Sequence, residues 1–275
     1  MSSLIQIRFY QVDAFTDRPF AGNPAGVCLL DSPLPPHLMQ AVAAEINLSE
    51  TAFVQPPDPE GIRRLQWFTP TVEVPLCGHA TLATAHALLR EAGAEPPLRF
   101  STLSGILEVD AEEDGWLRMD FPADSPVPAP APAGLLDELG CDSAAPTLMA
   151  TKGWIVRLPT EADVRKVRPD YVRLGRIDLG PTALGVIVTA PGKEEVDFVS
   201  RFFGPWVGVD EDPVTGMAHT LLGPYWARET GSPELQARQV SPRGGVLRLR
   251  VAGERVHISG EAVTVVKGEL SVPAG

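Results

Sequence analysis

Acid/base and nucleophilic side chains cluster around two glycine-containing segments of this sequence. Cys77 and His79 stand on either side of one glycine, and Asp212 and Thr215 come just before another. Glu50 lies between a helical pattern ending near Asn47 and a strand pattern starting at Thr51. A carboxylate can remove a proton from carbon, and a histidine can hold or relay it. A cysteine thiolate is a nucleophile or a second base. These residue types can act as acids, bases or nucleophiles, and their pattern alone does not select among those roles.

The two glycine segments belong to an internal repeat. "EVPLCGHA" begins at Glu73 and "EDPVTGMA" begins at Glu211, so the pattern E-x-P-x-x-G-x-A recurs at an offset of 138 residues, half the chain. An aromatic-x-Pro signal precedes each copy, at 68–70 and at 203–205. Each copy also opens the most apolar helical stretch of its half. The repeat predicts a duplication that gives two similar domains.

The helix that follows each repeat is apolar on every side. No charged residue occurs in 79–89 or in 218–227, so each helix should run through the middle of a wrapped sheet. Pro224 should kink or break the second helix unless it lies near a turn. His86 and His219, inside these helices, are interpreted as structural. The helix starts at Gly78 and Gly216 expose backbone N–H groups that favour an anion.

Composition excludes several classes of protein. The 275 residues carry 23 Lys plus Arg against 35 Asp plus Glu, giving a net charge of −12 and a pI near 4.9. Such a charge disfavours nucleic acid and anionic membranes as partners. The N-terminus lacks a secretory signal pattern, and no apolar run is long enough to span a membrane, which predicts a cytoplasmic protein. No dinucleotide fingerprint, phosphate loop or metal-ligand cluster is evident, so we expect no cofactor and no metal.

Both halves consist mostly of short alternating strand patterns with one prominent helix each, an α+β composition. The Pro/Ala-rich stretch "ADSPVPAPAPA" at 123–133 is typical of an extended connector. We therefore predict an N-terminal domain at 1–122, a linker at 123–133 and a C-terminal domain at 134–275.

Four segments resemble a known family. They are "QVDAFTDRPFAGNPAGV" (11–27), "NLSETAFV" (47–54), "WFTPTVEVPLCGHATLATAHAL" (67–88) and "EDPVTGMAHTLLGPYW" (211–226). Together they resemble the PhzF-like phenazine-biosynthesis proteins, within the diaminopimelate epimerase and proline racemase fold group. The resemblance implies two pseudo-symmetric domains, each a barrel-like, mostly antiparallel sheet around a central helix. It also implies an active site in the interdomain cleft and a homodimer.

The resemblance assigns roles residue by residue. It makes Glu50 the acid/base of a cofactor-independent isomerase acting on a small, cyclic or amino-acid-derived carboxylate. His79 and Asp212 would position substrate and proton. The implied substrate-binding positions are Gly78, Ala80, Thr215, Gly216, Met217 and Asn23. Met217 departs from the T-G-S-A pattern of the family, which puts the phenazine intermediate itself in doubt as the substrate.

Cys77 supports a competing mechanism. In the related racemases and epimerases, one cysteine at each helix start forms a two-base thiol pair. By the repeat, Cys77 corresponds to Thr215, so the second thiol is missing, and neither Cys28 nor Cys141 is placed to replace it. This disfavours a thiol-based racemase or epimerase using Cys77. A third alternative is a non-catalytic small-molecule-binding protein of the same fold.

Overall fold

The computed structural model describes residues 4–273 of the chain. These residues form two compact units. The first unit runs to Asp120 and also includes the chain from Ser259 onward, and the second unit is Phe121–Ile258. The boundaries predicted from the sequence differ at the C-terminal end, because the last strand of the chain belongs to the first unit rather than to the second.

The first unit is one mixed sheet with two helices. Its elements in chain order are β1 Leu4–Ala14, β2 Asn23–Leu29, α1 Pro36–Ile46, β3 Thr51–Pro57, β4 Ile62–Phe68, β5 Glu73–Val74, α2 Gly78–His86 with a π-helical continuation Ala87–Glu91, β6 Leu98–Thr102, β7 Gly105–Ala111 and β8 Leu117–Pro122. β1 pairs antiparallel with β2 and with the last strand of the chain. β2 pairs parallel with β3 and β4 parallel with β6, and the remaining neighbours are antiparallel.

The second unit repeats this order with one strand and two short helices added. Its elements are β9 Val127–Pro128, α3 Leu135–Leu139, β10 Thr147–Ala150, β11 Gly153–Arg157, α4 Glu161–Lys166, α5 Tyr171–Leu174, β12 Gly185–Pro191, β13 Phe198–Gly204 with a 3₁₀ turn Pro205–Val207, β14 Val209–Asp212, α6 Gly216–Thr230, β15 Glu234–Gln239, β16 Gly245–Ala252 and β17 Arg255–Gly260. The final strand, β18 Ala262–Pro273, is the one that pairs with β1.

The pairing pattern establishes the duplication. β11 pairs parallel with β12, β12 antiparallel with β13, and β13 parallel with β15, as β2, β3, β4 and β6 do in the first unit. The glutamate of each repeat also contacts the adjacent strand. Gln66 Nε2 donates to Glu73 Oε1 at 3.0 Å, and Arg201 Nε donates to Glu211 Oε1 at 2.7 Å. The fold is thus α+β, with two pseudo-symmetric domains, each a sheet around a central helix.

Burial explains why each central helix can be so apolar. In α2, every residue from His79 to Ala85 is buried, and the helix contacts β1, β2, β3 and β18. In α6, the run from Ala218 to Trp226 is buried, and the helix contacts β15 and β16. A helix enclosed by its own sheet has no solvent face to supply with charges.

Pro224 does not break α6, which continues to Thr230. Proline removes the N–H that would bond the carbonyl four residues earlier, here Thr220. The N–H of Asp124 donates to that carbonyl at 3.1 Å and replaces the lost bond. Asp124 lies in the Pro/Ala-rich stretch predicted to be a linker. That stretch is extended, but it packs within the second unit, where β9 pairs with β10.

The uncharged stretches 79–89 and 218–227 lie inside the central helical segments, 78–91 and 216–230, as expected. The short helices α4 and α5 were not predicted. Among residues 4–273, no helix combines the length and apolarity needed to cross a membrane.

Candidate active site

The backbone places Glu50 beside the start of α2. Glu50 precedes β3, and its carbonyl accepts a hydrogen bond from Gly26 N of β2 at 3.1 Å. Cys77 precedes α2 in an extended conformation, and Cys77 O accepts bonds from Thr81 N at 3.1 Å and from the Thr81 hydroxyl at 2.6 Å. The turn before β3 and the start of the central helix are therefore both held by backbone contacts.

Three reactive side chains meet at this point. His79 Nε2 lies 3.2 Å from Glu50 Oε2, and His79 Nδ1 lies 3.5 Å from Cys77 Sγ. The side chains of His79 and Glu50 are 7% and 18% exposed, and Cys77 is buried. The contact between Glu50 and His79 has the distance of an ion pair but lacks hydrogen-bond alignment. Both facing atoms therefore keep hydrogen-bonding capacity for another molecule.

The local charges determine the protonation of the three groups. Burial alone would raise the pKa of Glu50, but the attraction of His79 and hydrogen bonds from its neighbours outweigh burial and lower that pKa. Burial would lower the pKa of His79, yet its contacts with the Cys77 sulfur and the Glu50 carboxylate raise that pKa well above its usual value. Burial and the charge of Glu50 raise the pKa of Cys77. At neutral pH the cluster is thus a carboxylate, an imidazolium and a neutral thiol.

The second unit carries a different polar cluster at the start of α6. The Thr215 hydroxyl donates to Asp212 Oδ2 at 2.6 Å. Gln239 is fully buried on β15, where its Oε1 accepts from Thr215 N at 2.9 Å and its Nε2 donates to Asp212 O at 2.7 Å. Gly216 and the half-buried Met217 follow as the first residues of the helix. This cluster fixes the helix start and contains one carboxylate.

The remaining predicted positions of the first unit lie at the start of α2 and on β2. Gly78 and Ala80 occupy the first turn of α2, and the Ala80 N–H points to the Cys77 sulfur. Asn23 is fully buried at the start of β2. The structure brings Glu50 and His79 together in the first unit and places Asp212 in the second unit with Thr215.

Of the two histidines interpreted as structural, His219 is buried and His86 is partly buried, and each has a hydrogen-bond contact. His86 Nε2 lies 3.1 Å from the Thr264 hydroxyl, and His219 Nδ1 lies 2.7 Å from Thr215 O. Burial lowers the pKa of each to about 4. Both are neutral at physiological pH, so neither competes with His79 as a charged group.

The duplication provides an internal comparison for each reactive group. Thr51 pairs with Phe68 as Val186 pairs with Phe203, so Glu50 aligns with Gly185. A Cβ at Gly185 would overlap the carbonyl oxygen of Phe203, so no glutamate fits there. The helix starts align Cys77 with Thr215 and His79 with Met217. The second unit therefore has no acid/base side chain at any of the three equivalent positions.

Two contributors were not identified from the sequence. Cys77 was considered only as a rival nucleophile, although its sulfur contacts His79 directly. Gln239 lies outside every motif identified in the sequence. The parallel pairing of β13 with β15 brings it to the start of α6. No local sequence pattern predicts this pairing, in which Ser200 lies opposite Gln239.

The chain thus contains two copies of one α+β domain, and one copy carries a buried carboxylate–histidine pair at the start of its central helix. A family model described as "Phenazine biosynthesis-like protein" matches residues 12–268. The chain belongs to this PhzC-PhzF family.

Individual relatives agree with this assignment. An uncharacterised isomerase of Pseudomonas aeruginosa is 50% identical over 267 residues, which cover 97% of this chain and 99% of the relative. The crystal structure of a PhzF-family phenazine biosynthesis protein from Enterococcus faecalis has a TM-score of 0.90 and 42% identity, covering 97% of this chain and 99% of that one.

A more distant neighbour shows the fold group alone. A hydroxyproline epimerase from Agrobacterium vitis has a TM-score of 0.62 at 11% identity, covering 99% of this chain and 94% of that one. The expected family, fold and isomerase class are thus confirmed.

Proposed function

We propose that this isomerase moves a proton between carbons of a small carboxylate, with Glu50 as its single acid/base and no cofactor. The observation that carries the proposal is the buried Glu50–His79 contact at 3.2 Å in the first unit. The aligned positions Gly185 and Met217 in the second unit offer no counterpart. One base serves a shift on a single face of a substrate, whereas a racemase needs a base on each face.

The reaction follows from the charges of the cluster. The Glu50 carboxylate removes a proton from a carbon next to an electron-withdrawing group, and the bonding pair enters the conjugated system of the substrate. The resulting Glu50 carboxylic acid then returns the proton to a different carbon. His79 remains protonated beside Glu50 and holds the carboxylate in place. General acid/base catalysis of this kind supplies about 10²–10⁴-fold in rate.

The helix start supports a carboxylate as the substrate class. The first-turn N–H groups at Gly78 and His79 have no intrahelical partner, and α2 directs the positive end of its dipole toward them. Met217 in the second unit stands where the family resemblance expects serine. It favours a substrate with less polar surface at that position than the phenazine intermediate.

Proton NMR in D₂O tests the proposal with a panel of small cyclic and amino-acid carboxylates. We expect deuterium to enter a carbon position with the wild type and to enter about 10²–10⁴-fold more slowly with Glu50→Gln. Cys77→Ala separates the thiol-based alternative, because Cys77 is a neutral thiol in the single-base mechanism. Exchange that survives in Glu50→Gln and disappears in Cys77→Ala would replace the carboxylate mechanism with a thiol mechanism.

A further inference from the structure

A large cavity lies wholly within the second unit. Its volume is about 890 Å³, which falls within the range of roughly 300–1,000 Å³ that is usual for small-molecule pockets. The end of α3 with the loop to β10, the end of β11, α4 and the C-terminal half of α6 line it. None of the residues assigned to the isomerase site is among them. The cavity is therefore a separate feature of the fold.

Most of the cavity lining is apolar. Leu139, Leu158 and Val167 line it, and each is no more than 5% exposed. All three belong to the hydrophobic core of the second unit, so the cavity extends to that core. An apolar group that fills this space leaves water, which favours its binding.

Arg157 brings a fixed positive charge to the cavity lining. Its Nε donates to the Tyr225 hydroxyl at 3.2 Å, and its Nη1 donates to Leu158 O at 2.9 Å. The guanidinium carbon also lies 4.4 Å from the centre of the Trp226 ring. Nη2 has no hydrogen-bond acceptor in the part of the chain that the structure describes. The guanidinium is thus held in place while part of its hydrogen-bonding capacity stays unused.

No carboxylate neutralises this arginine. Within residues 4–273, neither Arg157 nor Arg168, a second arginine of the lining, has an aspartate or glutamate at ion-pair distance. Arg168 Nη1 instead donates to two backbone carbonyls, at 2.6 Å and 2.7 Å. A chain with a net charge of −12 therefore keeps two arginines without acidic partners at one cavity, which favours an anionic ligand.

The other charged residues of the lining leave this balance in place. Lys166 and Asp163 pair with each other at 3.5 Å, and Asp142 accepts a hydrogen bond from the backbone of Ala144 at 2.8 Å. Glu229 is exposed to solvent, where salt screens its charge. Arg157 is only partly exposed, so its charge acts on the interior of the cavity.

We propose that this cavity binds an organic anion with an apolar body, at a site separate from the isomerase site. The anionic group binds the free N–H groups of Arg157, and the apolar body lies against Leu139, Leu158 and Val167. A guanidinium can offer a carboxylate two parallel N–H bonds. An inorganic anion would leave the apolar lining in water, so the lining favours an organic ligand. This proposal does not depend on the proposed function.

Fluorescence titration with anilinonaphthalene sulfonate tests the site, because this probe joins an anionic group to apolar rings and its emission rises in apolar surroundings. We expect saturation at one probe per chain. Arg157→Gln should weaken binding at least about 10-fold, the scale of a lost charge-assisted hydrogen bond. Arg238→Gln is the matched control, since Arg238 is an exposed arginine of β15 that does not line the cavity. Phenylnaphthylamine, which lacks the sulfonate, should bind both proteins equally.

Labelling of Cys141 locates the probe in the wild type and covers the case in which Arg157→Gln does not fold. Cys141 lines the cavity and is half-buried, whereas Cys28 and Cys77 are buried, so iodoacetamide should label Cys141 first. Burial raises the pKa of Cys141 to about 11, so the reaction is run at alkaline pH. Free probe at about ten times its Kd should slow this labelling about 10-fold.

Three results would overturn the proposal. The first is unchanged probe affinity in a folded Arg157→Gln, and the second is Cys141 labelling that the saturating probe does not slow. The third comes from sedimentation velocity. A wild-type dimer that Arg157→Gln converts to a monomer would show that a second copy of the chain, rather than a small anion, covers the cavity.

Discussion

His79 Nε2 and Glu50 Oε2 lie 3.2 Å apart in a place where neither side chain is more than 18% exposed. Burial is the largest single influence on the pKa of each group, and the partner's opposite charge acts against it. The pKa of Glu50 falls although burial opposes the shift, and the pKa of His79 rises although burial opposes that shift too. This mutual dependence makes the pair testable by titration.

Replacing His79 with glutamine should raise the pKa of Glu50. Burial then acts on the carboxylate without the compensating positive charge, so the carboxyl titrates at higher pH than in the wild type. Carboxyl ¹³C NMR across an acidic pH series measures this directly. The control is His86→Gln, because His86 lies in the same helix and contacts Thr264 rather than Glu50. A Glu50 pKa that stays at its wild-type value in His79→Gln would show that His79 is not its partner.

The same pair predicts how stability depends on pH. The folded-state pKa of His79 lies above the unfolded value of about 6.5, so its charge stabilises the folded chain. This contribution is complete below the unfolded pKa and is lost as the pH rises through the folded pKa. The free energy of unfolding of the wild type minus that of His79→Gln should therefore decrease from pH 6 toward alkaline pH.

Urea unfolding of both proteins at several pH values above 6 provides the measurement. The substitution also changes packing, which is constant with pH, and raises the pKa of Glu50, so the slope is read at pH values above the range in which Glu50 titrates. A difference that stays flat across the series would mean that His79 is neutral in the folded state.

The repeat, the central helices and the active-site motifs could be predicted from the sequence, because each is recognised from short continuous segments of the chain. Gly78 and His79 are adjacent to Cys77, and their place at a helix start follows from that spacing alone. The protonation of Glu50 could not be predicted, because it depends on a histidine 29 positions away and on burial by β2. The last strand was assigned to the wrong half for a similar reason. Its partner, β1, lies at the opposite end of the chain.

Gln239 should be a positioning residue for α6. Its amide bonds Thr215 N and Asp212 O, and Gln239→Leu would leave both backbone groups without that partner. We expect a loss of about 1–3 kcal/mol in the free energy of unfolding. Gln236→Leu is the matched control, since Gln236 lies on the same strand, is only partly buried and bonds Asp197 through its backbone N–H. Equal losses of stability in the two variants would argue against a positioning role for Gln239.

Gly185 explains why the second unit has no counterpart of Glu50, and Gly185→Ala tests that explanation. An added methyl group would meet the Phe203 carbonyl and the Phe202 ring, both of which are buried. We expect a destabilisation of about 1–3 kcal/mol from overpacking. Gly268→Ala on β18 should change stability by less than about 0.5 kcal/mol, because nothing lies within 4 Å of the added atom. If Gly185→Ala is as stable as the wild type in urea, this position can hold a side chain. The asymmetry between the two units would then need another cause than backbone packing.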